Sequence, residues 1–201
     1  TRLGCEVIDM GVVKDDPAAL EAAFREAAAC ADAIITSGGV SVGEADFIKQ
    51  LMAQLGEVAF WKIAMKPGRP MAFGRIQPDG AERPGAWLFG LPGNPVAVMV
   101  TFYQFVRPAL LKLAGVSPVT PFPAFPARCV EAMKKGRGRT EFQRGILFME
   151  SGEWCVRPTG AQGSGVLRSM ADADCFIVLE HEREKVGAGD TVMVQVMNGL
   201  V

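Results

Sequence analysis

The sequence predicts an α/β unit built on a doubly wound, mostly parallel sheet, followed by a small all-β unit that forms a barrel or a sandwich. Strand-like and helix-like segments alternate over residues 1–116, which is typical of a parallel sheet with helices on both faces. Residues 117–127 contain four prolines and are predicted to be a linker. Residues 128–201 contain short strand-like segments separated by turns, which favours a small closed or sandwiched β domain.

The strands of the first unit are predicted from short apolar segments rich in β-branched residues. These segments are residues 6–13, 33–36, 58–64, 71–76 and 87–91. An insertion rich in Pro, Gly and Asp separates the last two and is expected on the surface.

Three helices alternate with these strands. The first is predicted to begin at residues 15–17 (Asp-Asp-Pro), where an acidic cap precedes a proline in the first turn, and to end at Ala31. The second spans residues 46–55, because its apolar side chains recur at helical spacing. The third spans residues 96–114 and follows the rigid turn at residues 92–95 (Pro-Gly-Asn-Pro).

Five strands and one short helix are predicted in the second unit. The strands are residues 128–133, 141–149, 154–157, 176–179 and 192–196, and the helix lies near residues 166–170.

Composition excludes several classes of function. Lys and Arg number 21 against 22 Asp and Glu, whereas a protein that neutralises nucleic-acid phosphates usually has a basic excess. The single histidine, His181, leaves no second imidazole for a His-rich metal site. The longest apolar segment, residues 95–106, is shorter than the ~20 residues that cross a bilayer, so we expect no membrane span.

The cysteines predict the cellular compartment of the protein, and the first residues predict where the chain begins relative to the fold. No two of the five cysteines lie within three residues of each other, so they match neither a zinc knuckle nor a redox pair. Their odd number, without secretory features, predicts reduced thiols in a cytoplasmic protein. Since Thr1 is followed almost at once by the strand predicted over residues 6–13, we expect the chain to begin inside a fold.

Three loops are candidates for binding an anion, because ligands of α/β sheets bind where strands end. Residues 37–46 (SGGVSVGEAD) have adjacent glycines that let the backbone approach an anion, although a structural turn explains them equally well. Residues 61–70 place two lysines and an arginine around a strand end, which suits an oxyanion or a polyphosphate, the alternative being a solvated basic turn. Residues 91–95, taken alone, are typical of a structural turn.

Four polar side chains, one of them at the end of the first loop, have more than one interpretation. Asp15 and Asp46 each stand where a loop enters a helix, where a lone carboxylate usually caps the helix. The alternative is that they bind Mg²⁺ on a phosphate-bearing substrate. Arg144 and Ser164 offer a cation and a hydroxyl that, alone, indicate no site.

Five segments carry a resemblance that extends along nearly the whole chain. They are SGGVSVGEADF (37–47), FWKIAMKPGRPMAFG (60–74), LPGNPVAVMVTFYQ (91–104), EFQRG (141–145) and QGSG (162–165). In this order they resemble the molybdopterin molybdenumtransferase family, the MoeA type that includes the E domain of gephyrin. The resemblance implies a molybdopterin-binding fold for the first unit. It also implies an activity in which adenylated molybdopterin and molybdate react with Mg²⁺, the metal enters the dithiolene, and AMP is released.

The resemblance also implies roles for residues that match the family's motifs. Asp15 and Asp46 would be carboxylates near the Mg²⁺, and Lys62 and Lys66 would be lysines of an anion pocket; all four are expected to be catalytic. Further substrate contacts are expected along the three loops, from Ser37, Gly38, Gly39, Ser41, Gly43, Gly68, Arg69, Pro92, Gly93 and Asn94. A molybdate site between the two domains would be completed by Pro67, Arg144 and Ser164.

The chain departs from the family pattern in two places. Family members begin with two further domains, then a strand and helix with a Ser-Thr-Gly-Asp-Glu type motif, so we expect the first unit to lack its first strand and helix. Ala97 stands where many relatives have serine.

The resemblance also implies partners. Family enzymes are homodimers that share the site between subunits, so a homodimer is expected, with molybdopterin adenylyltransferase as a further partner.

Two other functions stay open. A molybdopterin adenylyltransferase shares the α/β fold, but it lacks the β domain and typically carries a Thr-Gly-Gly-Thr-Gly loop in place of residues 37–43. A non-catalytic scaffold module, like the gephyrin E domain that binds receptor tails, is the second. The clustered candidate anion site favours an enzyme over a scaffold.

Overall fold

The computed structural model describes residues 1–38, 45–78, 80, 84–163 and 165–197, with the backbone alone for residues 45–49. The strands of the first unit are β1 (Ala33–Ser37), β2 (Gly56–Lys62), β3 (Met65–Lys66), β4 (Pro70–Ile76) and β5 (Ala86–Leu91). Four of them form one sheet in the order β1-β5-β4-β2, while β3 pairs elsewhere.

The pairing in this sheet is mixed and not mostly parallel as predicted. β1 and β5 are parallel, whereas β4 is antiparallel to both β5 and β2. A parallel pair needs a long crossover, usually a helix, and no helix occurs between β2 and β5 in the part of the chain that the structure describes. The α/β fold class itself is confirmed.

Helices cover both faces of the sheet. α1 (Pro17–Cys30) and α2 (Ala45–Leu55) pack on one face, where Leu51 is buried with apolar side chains of the strands. The other face packs against the helical segment that follows β5, and Phe89 and Val106 are buried between them. This two-sided burial of apolar surface is the main source of stability of such a sheet.

The long helix predicted over residues 96–114 is interrupted by a π-helical turn. It consists of α3 (Pro95–Thr101), the π turn (Phe102–Val106) and α4 (Arg107–Leu113). Pro108 has no N–H to donate to the carbonyl of the preceding helical turn, and its ring would crowd that carbonyl in a regular α-helix. The wider π turn directly before α4 accommodates the proline.

The segment Pro95–Leu113 is also long and apolar enough to cross a membrane, by length and composition alone. Core helices pass the same test. In this fold Val96, Val100 and Tyr103 are buried against side chains of the second unit, and Val106 is buried against the sheet. We therefore interpret the segment as a core helix.

The strand predicted over residues 6–13 is wrong. Residues 6–13 pair with no strand, and residues 6–12 are exposed, with Val12 at 99% exposure. An apolar, β-branched composition favours a strand where a neighbouring strand offers hydrogen bonds and a surface to pack on. Among the described residues no strand occupies that position beside residues 6–13.

The second unit is a closed five-stranded barrel, as the fold class predicts. Its strands are β6 (Ala124–Cys129), β8 (Thr140–Glu150), β9 (Glu153–Pro158), β10 (Cys175–Leu179) and β12 (Thr191–Val196). They follow the order β10-β12-β6-β9-β8, and β8 pairs back with β10 to close the barrel. A separate ribbon joins β7 (Met133–Lys134) to β11 (Lys185–Val186), and α5 (Arg168–Ala171) is the predicted short helix.

The first barrel strand begins earlier than predicted. β6 covers Ala124–Cys129 and includes Pro126, so it overlaps the predicted linker and replaces the strand predicted over residues 128–133. Pro126 lies opposite Met193 of β12, whereas β9 pairs with β6 only from Arg128 onward. A proline with a partner strand on one side alone is tolerated, as at a sheet edge.

The two units are joined by a strand and by a shared core. β3 belongs to a loop of the first unit, yet it pairs in parallel with β8 of the barrel. Met65 of β3 is buried with Val100 of α3 and with Phe176 and Met170 of the second unit. This junction sets the barrel beside the loop that connects β2 to β4.

The barrel predicts slow thiol labelling of its three cysteines. Cys129, Cys155 and Cys175 are buried, and burial raises the pKa of the Cys175 thiol to about 12. At pH 8 only about one such thiol in ten thousand is ionised. A disulfide reagent should therefore label the exposed Cys30 and the half-buried Cys5 at least about a hundredfold faster than the barrel cysteines. All five should react quickly in concentrated urea, and equal native rates would contradict a closed barrel.

Candidate functional site

Four strand ends meet at one edge of the sheet. β1 ends at Ser37, opposite Leu91 at the end of the parallel strand β5. β2 ends at Lys62, opposite Pro70 at the start of β4. Because β4 is antiparallel to β5, its start lies at the edge where β5 ends. The loops that follow Ser37, Lys62 and Leu91 therefore emerge at one edge, as the sequence predicts.

The first and third loops touch through their backbones. Gly38, at a left-handed φ of +94°, donates its N–H to the carbonyl oxygen of Leu91 at 3.2 Å. A Cβ on Gly93 would lie 3.4 Å from Gly38 Cα, which is an ordinary van der Waals contact, so the two loops lie against each other. Asn94 caps α3 by accepting the N–H of Val96 at 3.2 Å.

The second loop is anchored on α3. Ile63 donates its N–H to the carbonyl oxygen of Arg69 at 2.8 Å, which closes the loop. Gly68 has a φ of +100°, and a Cβ there would lie 2.5 Å from Thr101 Oγ1. Pro67 and Gly68 are buried by this packing. The charged side chains of the loop are left at the surface.

The cations of this loop are only partly neutralised. Lys62, Lys66 and Arg69 are all exposed. Lys66 Nζ lies 3.5 Å from Glu141 Oε1 of the barrel. Lys62 and Arg69 have no carboxylate within ion-pair distance among the residues that the structure describes. Among the described side chains of the second loop, two cations are therefore left without a carboxylate partner.

Arg144 on β8 is a buried cation without a described counterion. It is 1% exposed, and its Nε donates to Ser169 Oγ at 3.0 Å while Nη2 donates to the carbonyl oxygen of Gly163 at 3.2 Å. No carboxylate pairs with it in the described ranges, and burial lowers the pKa of its guanidinium. Its Nη1 has no described hydrogen-bond partner. Such a cation favours a bound anion.

The side chains of Lys66, on β3, and Arg144, on the neighbouring strand β8, point to opposite faces of the sheet that these strands form. Lys66 pairs with Glu141 in the ladder of β3 and β8, three positions before Arg144. Residues three apart on a regular strand point to opposite faces, and Arg144 lies opposite Phe176 on the face of the shared core. The structure therefore does not bring these two cations together on one face, although the resemblance assigns both to neighbouring parts of one anion site.

The cap of α1 is Asp16 and not Asp15. Asp16 Oδ1 accepts the N–H of Ala19 at 2.9 Å. Asp15 is exposed and lines the same open concavity as Ser37 and Gly38. The capping explanation for Asp15 is therefore wrong, and its carboxylate is available to a ligand. No group of three His, Cys, Asp or Glu side chains that could hold a metal occurs in the described part of the chain.

Some predicted site residues lie outside the described residues. They are Gly39, Ser41, Gly43 and Ser164, together with the side chain of Asp46, whose backbone is in the first turn of α2. Their roles stay predictions. Of the other predicted residues, Pro92 is a buried residue of the third loop.

Sequence reasoning missed the residues that hold the two cations in place. Gln162 accepts the backbone N–H of Arg144 at 2.8 Å and donates to its carbonyl oxygen at 3.1 Å, and Ser169 binds its side chain. Glu141 and Gln143 form the contacts beside Lys66. The segment EFQRG contains both of these and could have indicated them, whereas Ser169 belongs to no recognised segment.

Two family models match most of the chain. Residues 1–112 match the probable molybdopterin binding domain, and residues 126–197 match the MoeA C-terminal region (domain IV). Among curated proteins, the molybdopterin molybdenumtransferase of Haemophilus influenzae is 47% identical over 201 residues, which are 100% of this chain and 48% of that protein. Gephyrin of Dictyostelium discoideum is 32% identical, over 91% of this chain and 28% of that protein.

Solved structures share the fold. A molybdopterin biosynthesis MoeA protein from Pyrococcus horikoshii matches with a TM-score of 0.75 at 31% identity, covering 98% of this chain and 45% of that one. A molybdenum cofactor biosynthesis protein from Pyrococcus furiosus matches with a TM-score of 0.67 at 25% identity, covering 94% and 58%. The chain spans about half the length of the curated molybdenumtransferase of Haemophilus influenzae, 48% of it.

The packing of the second loop predicts that Gly68→Ala is costly. The substitution places a side chain at a positive φ and within 2.5 Å of Thr101 Oγ1, so the free energy of unfolding should fall by about 2 kcal/mol or more. Gly93→Ala is the matched control, because its nearest contact is 3.4 Å and the expected change is below about 0.5 kcal/mol. Urea unfolding measures both, and equal effects would contradict the anchoring of the loop on α3.

Proposed function

Because this chain belongs to the MoeA-type family of molybdopterin-binding proteins, we propose that it acts in molybdenum cofactor biosynthesis as a molybdopterin molybdenumtransferase. The proposed reaction inserts molybdate into adenylated molybdopterin and releases AMP. Since the chain spans about half of its curated relatives, 48% of the one from Haemophilus influenzae, we propose this activity for the chain within an enzyme of their length.

The buried guanidinium of Arg144 is the observation that carries the proposal. Its described partners, Ser169 Oγ and the carbonyl of Gly163, are neutral, and Nη1 is left without a described partner. Molybdate is a tetrahedral dianion whose oxygens accept hydrogen bonds, so it can compensate this charge. Hydroxyl and guanidinium groups are not soft ligands. Arg144 would therefore hold molybdate as an oxyanion, and the sulfur ligands of the metal would come from the dithiolene of the substrate.

The cations of the sheet edge suit the phosphates of the adenylate. Lys62 and Arg69 are exposed there without a described carboxylate, and Lys66 is close by. Release of AMP breaks the phosphoanhydride bond of the adenylate, with an oxygen of water or of molybdate replacing the phosphate that leaves, and negative charge grows on that phosphate. Lysine ammonium groups held at that position would stabilise this charge more in the transition state than in the ground state.

Mg²⁺ fits the carboxylates of this edge as an ion shared with the substrate. Mg²⁺ prefers oxygen ligands and is usually held by one or two carboxylates together with substrate phosphates. Asp15 supplies an exposed carboxylate that lines the same large open concavity as Ser37 and Gly38, and the resemblance adds Asp46. When bound, the ion would neutralise charge on the phosphate oxygens.

We also propose the cellular setting that the family resemblance implies. The protein would work as a cytoplasmic homodimer and receive its adenylated substrate from a molybdopterin adenylyltransferase. The near-neutral charge of −1 and the five unpaired thiols are compatible with this setting.

The two alternative functions are less well supported. An adenylyltransferase would not need the barrel, which matches the MoeA C-terminal region over residues 126–197. A scaffold would not need Arg144 buried without a described counterion, because such a group costs stability unless it binds something.

Single-turnover release of AMP tests the proposal. The enzyme of full length is mixed with adenylated molybdopterin and Mg²⁺, with and without molybdate, and we expect release that depends on molybdate. Release of AMP that does not depend on molybdate would contradict the proposed reaction.

In the same assay, Asp46→Ala should lower the rate by about a hundredfold or more without changing thermal unfolding, because it removes a ligand of the ion. Release at the wild-type rate by this variant would contradict the role of Asp46.

Arg144→Met should weaken the dependence on molybdate selectively. The variant keeps an apolar stem but loses the charged hydrogen-bond donors, so the molybdate concentration for half-maximal rate should rise about tenfold or more. The half-saturating concentration of the adenylate should change by less than about threefold. Arg157→Met, at an exposed position of β9, is the matched control and should change neither. An unchanged molybdate dependence in Arg144→Met would contradict the assignment of this residue.

A further inference from the structure

Glu141 is a buried carboxylate with few partners. It is the second residue of β8 and is 5% exposed. Its Oε2 accepts a hydrogen bond from Gln143 Nε2 at 3.1 Å, and its Oε1 lies 3.5 Å from Lys66 Nζ. A carboxylate at this depth is costly unless it is paired. Lys66 is the cation that pairs with it among the described side chains.

Gln143 fixes the orientation of this carboxylate from the barrel side. The side chain of Gln143 is 6% exposed, and its Nε2 also donates to the carbonyl oxygen of Lys134 at 3.1 Å. Both N–H groups of the amide are thus used, one on the backbone of β7 and one on Glu141. The amide is held in one orientation, and it holds Glu141 Oε2 in turn.

The backbone sets Lys66 and Glu141 opposite each other. They are paired residues in the parallel ladder of β3 and β8, and Thr140 donates its N–H to the carbonyl oxygen of Ala64 at 2.9 Å. Paired residues of neighbouring strands point to the same face. The Lys66 side chain is 56% exposed, whereas that of Glu141 is 6% exposed, so a buried carboxylate meets an ammonium that solvent and ligands can reach.

We propose that Glu141 is a positioning residue, which holds the Lys66 ammonium at the sheet edge and so gives the barrel a direct part in the anion site. The proposal rests on the function proposed above for this edge. Without Glu141, the long stem of Lys66 would let its ammonium sample many positions. The same change would leave one more uncompensated positive charge beside Lys62 and Arg69. Loss of Glu141 should therefore slow the reaction while leaving anion binding as tight as before or tighter.

Acylation of lysines tests the contact itself. The chain is treated with an amine-acylating reagent, and modification of individual lysines is followed by mass spectrometry. In Glu141→Gln, Lys66 should be acylated about two- to fivefold faster than in the wild type, because its amine is no longer held against a carboxylate. Lys62 is the internal control and should not change. Glu153→Gln, which removes a surface carboxylate that pairs with Arg128 at 2.8 Å, is the matched control and should change neither lysine.

A second variant separates the effect of side-chain length at residue 141 from the effect of its negative charge. Glu141→Asp keeps the negative charge but shortens the side chain by one methylene, so it should increase the acylation of Lys66 as Glu141→Gln does. Wild-type acylation of Lys66 in Glu141→Asp or in Glu141→Gln would overturn the proposal. Thermal unfolding shows whether each variant folds. If one of the two does not fold, the acylation of Lys66 in the other decides whether the proposal holds.

Kinetics of the full-length enzyme test the consequence for the reaction. In Glu141→Gln we expect kcat to fall about tenfold or more, while the half-saturating concentration of the adenylated substrate stays the same or falls. An unchanged kcat, or a rise in the half-saturating concentration without a fall in kcat, would overturn the positioning role. Failure of the wild-type enzyme to release AMP would instead overturn the proposed function, and the acylation experiment would still decide the contact.

Discussion

The architecture depends on a two-residue strand that belongs to both halves of the molecule. Met65 and Lys66 lie in a loop of the α/β unit, and they pair with Thr140 and Glu141 of the barrel. Behind this ladder Met65 is buried in a core to which the long helix and the barrel both contribute, including Phe176. Burial of apolar surface from both units in one core fixes their orientation. The sheet edge with its three loops is thereby placed next to the barrel.

The molecule compensates two buried cations in different ways. The ammonium of Lys135 is enclosed by the carbonyl oxygens of Gly136, His181 and Arg183, at 3.0, 3.1 and 2.7 Å, and these bonds tie the ribbon of β7 and β11 together. Arg144 also has only neutral partners, but its Nη1 has no described hydrogen-bond partner. All three N–H groups of Lys135 are used within the protein, and they stabilise the fold. Arg144 keeps a charged donor for a ligand, which is why we place an oxyanion there.

Much of the fold could be predicted because it follows from local patterns. Apolar spacing located α2, apolar β-branched composition located the strands around it, and the proline at the first position of α1 marked where that helix begins. Prediction failed where a neighbour decides the outcome. Residues 6–13 have the composition of a strand but no partner strand in the described structure. Pro126 was predicted to lie in a linker, yet it is part of β6. At Pro126 only β12 pairs with β6, and β9 joins from Arg128 onward, so the missing N–H of the proline breaks no hydrogen bond to β9.

The sequence by itself determined the chemistry of the candidate site, since the family segments that contain Lys62, Lys66, Arg69 and Arg144 are recognisable without a structure. Only the tertiary structure decided which of these charges are compensated. Lys66 and Glu141 are 75 residues apart, and their contact exists because β3 and β8 pair. The alternation of side chains along β8 then puts Arg144 on the opposite face. Strand pairing between distant segments is not encoded in any local pattern, so the division of the cations into two groups could not be predicted from the sequence.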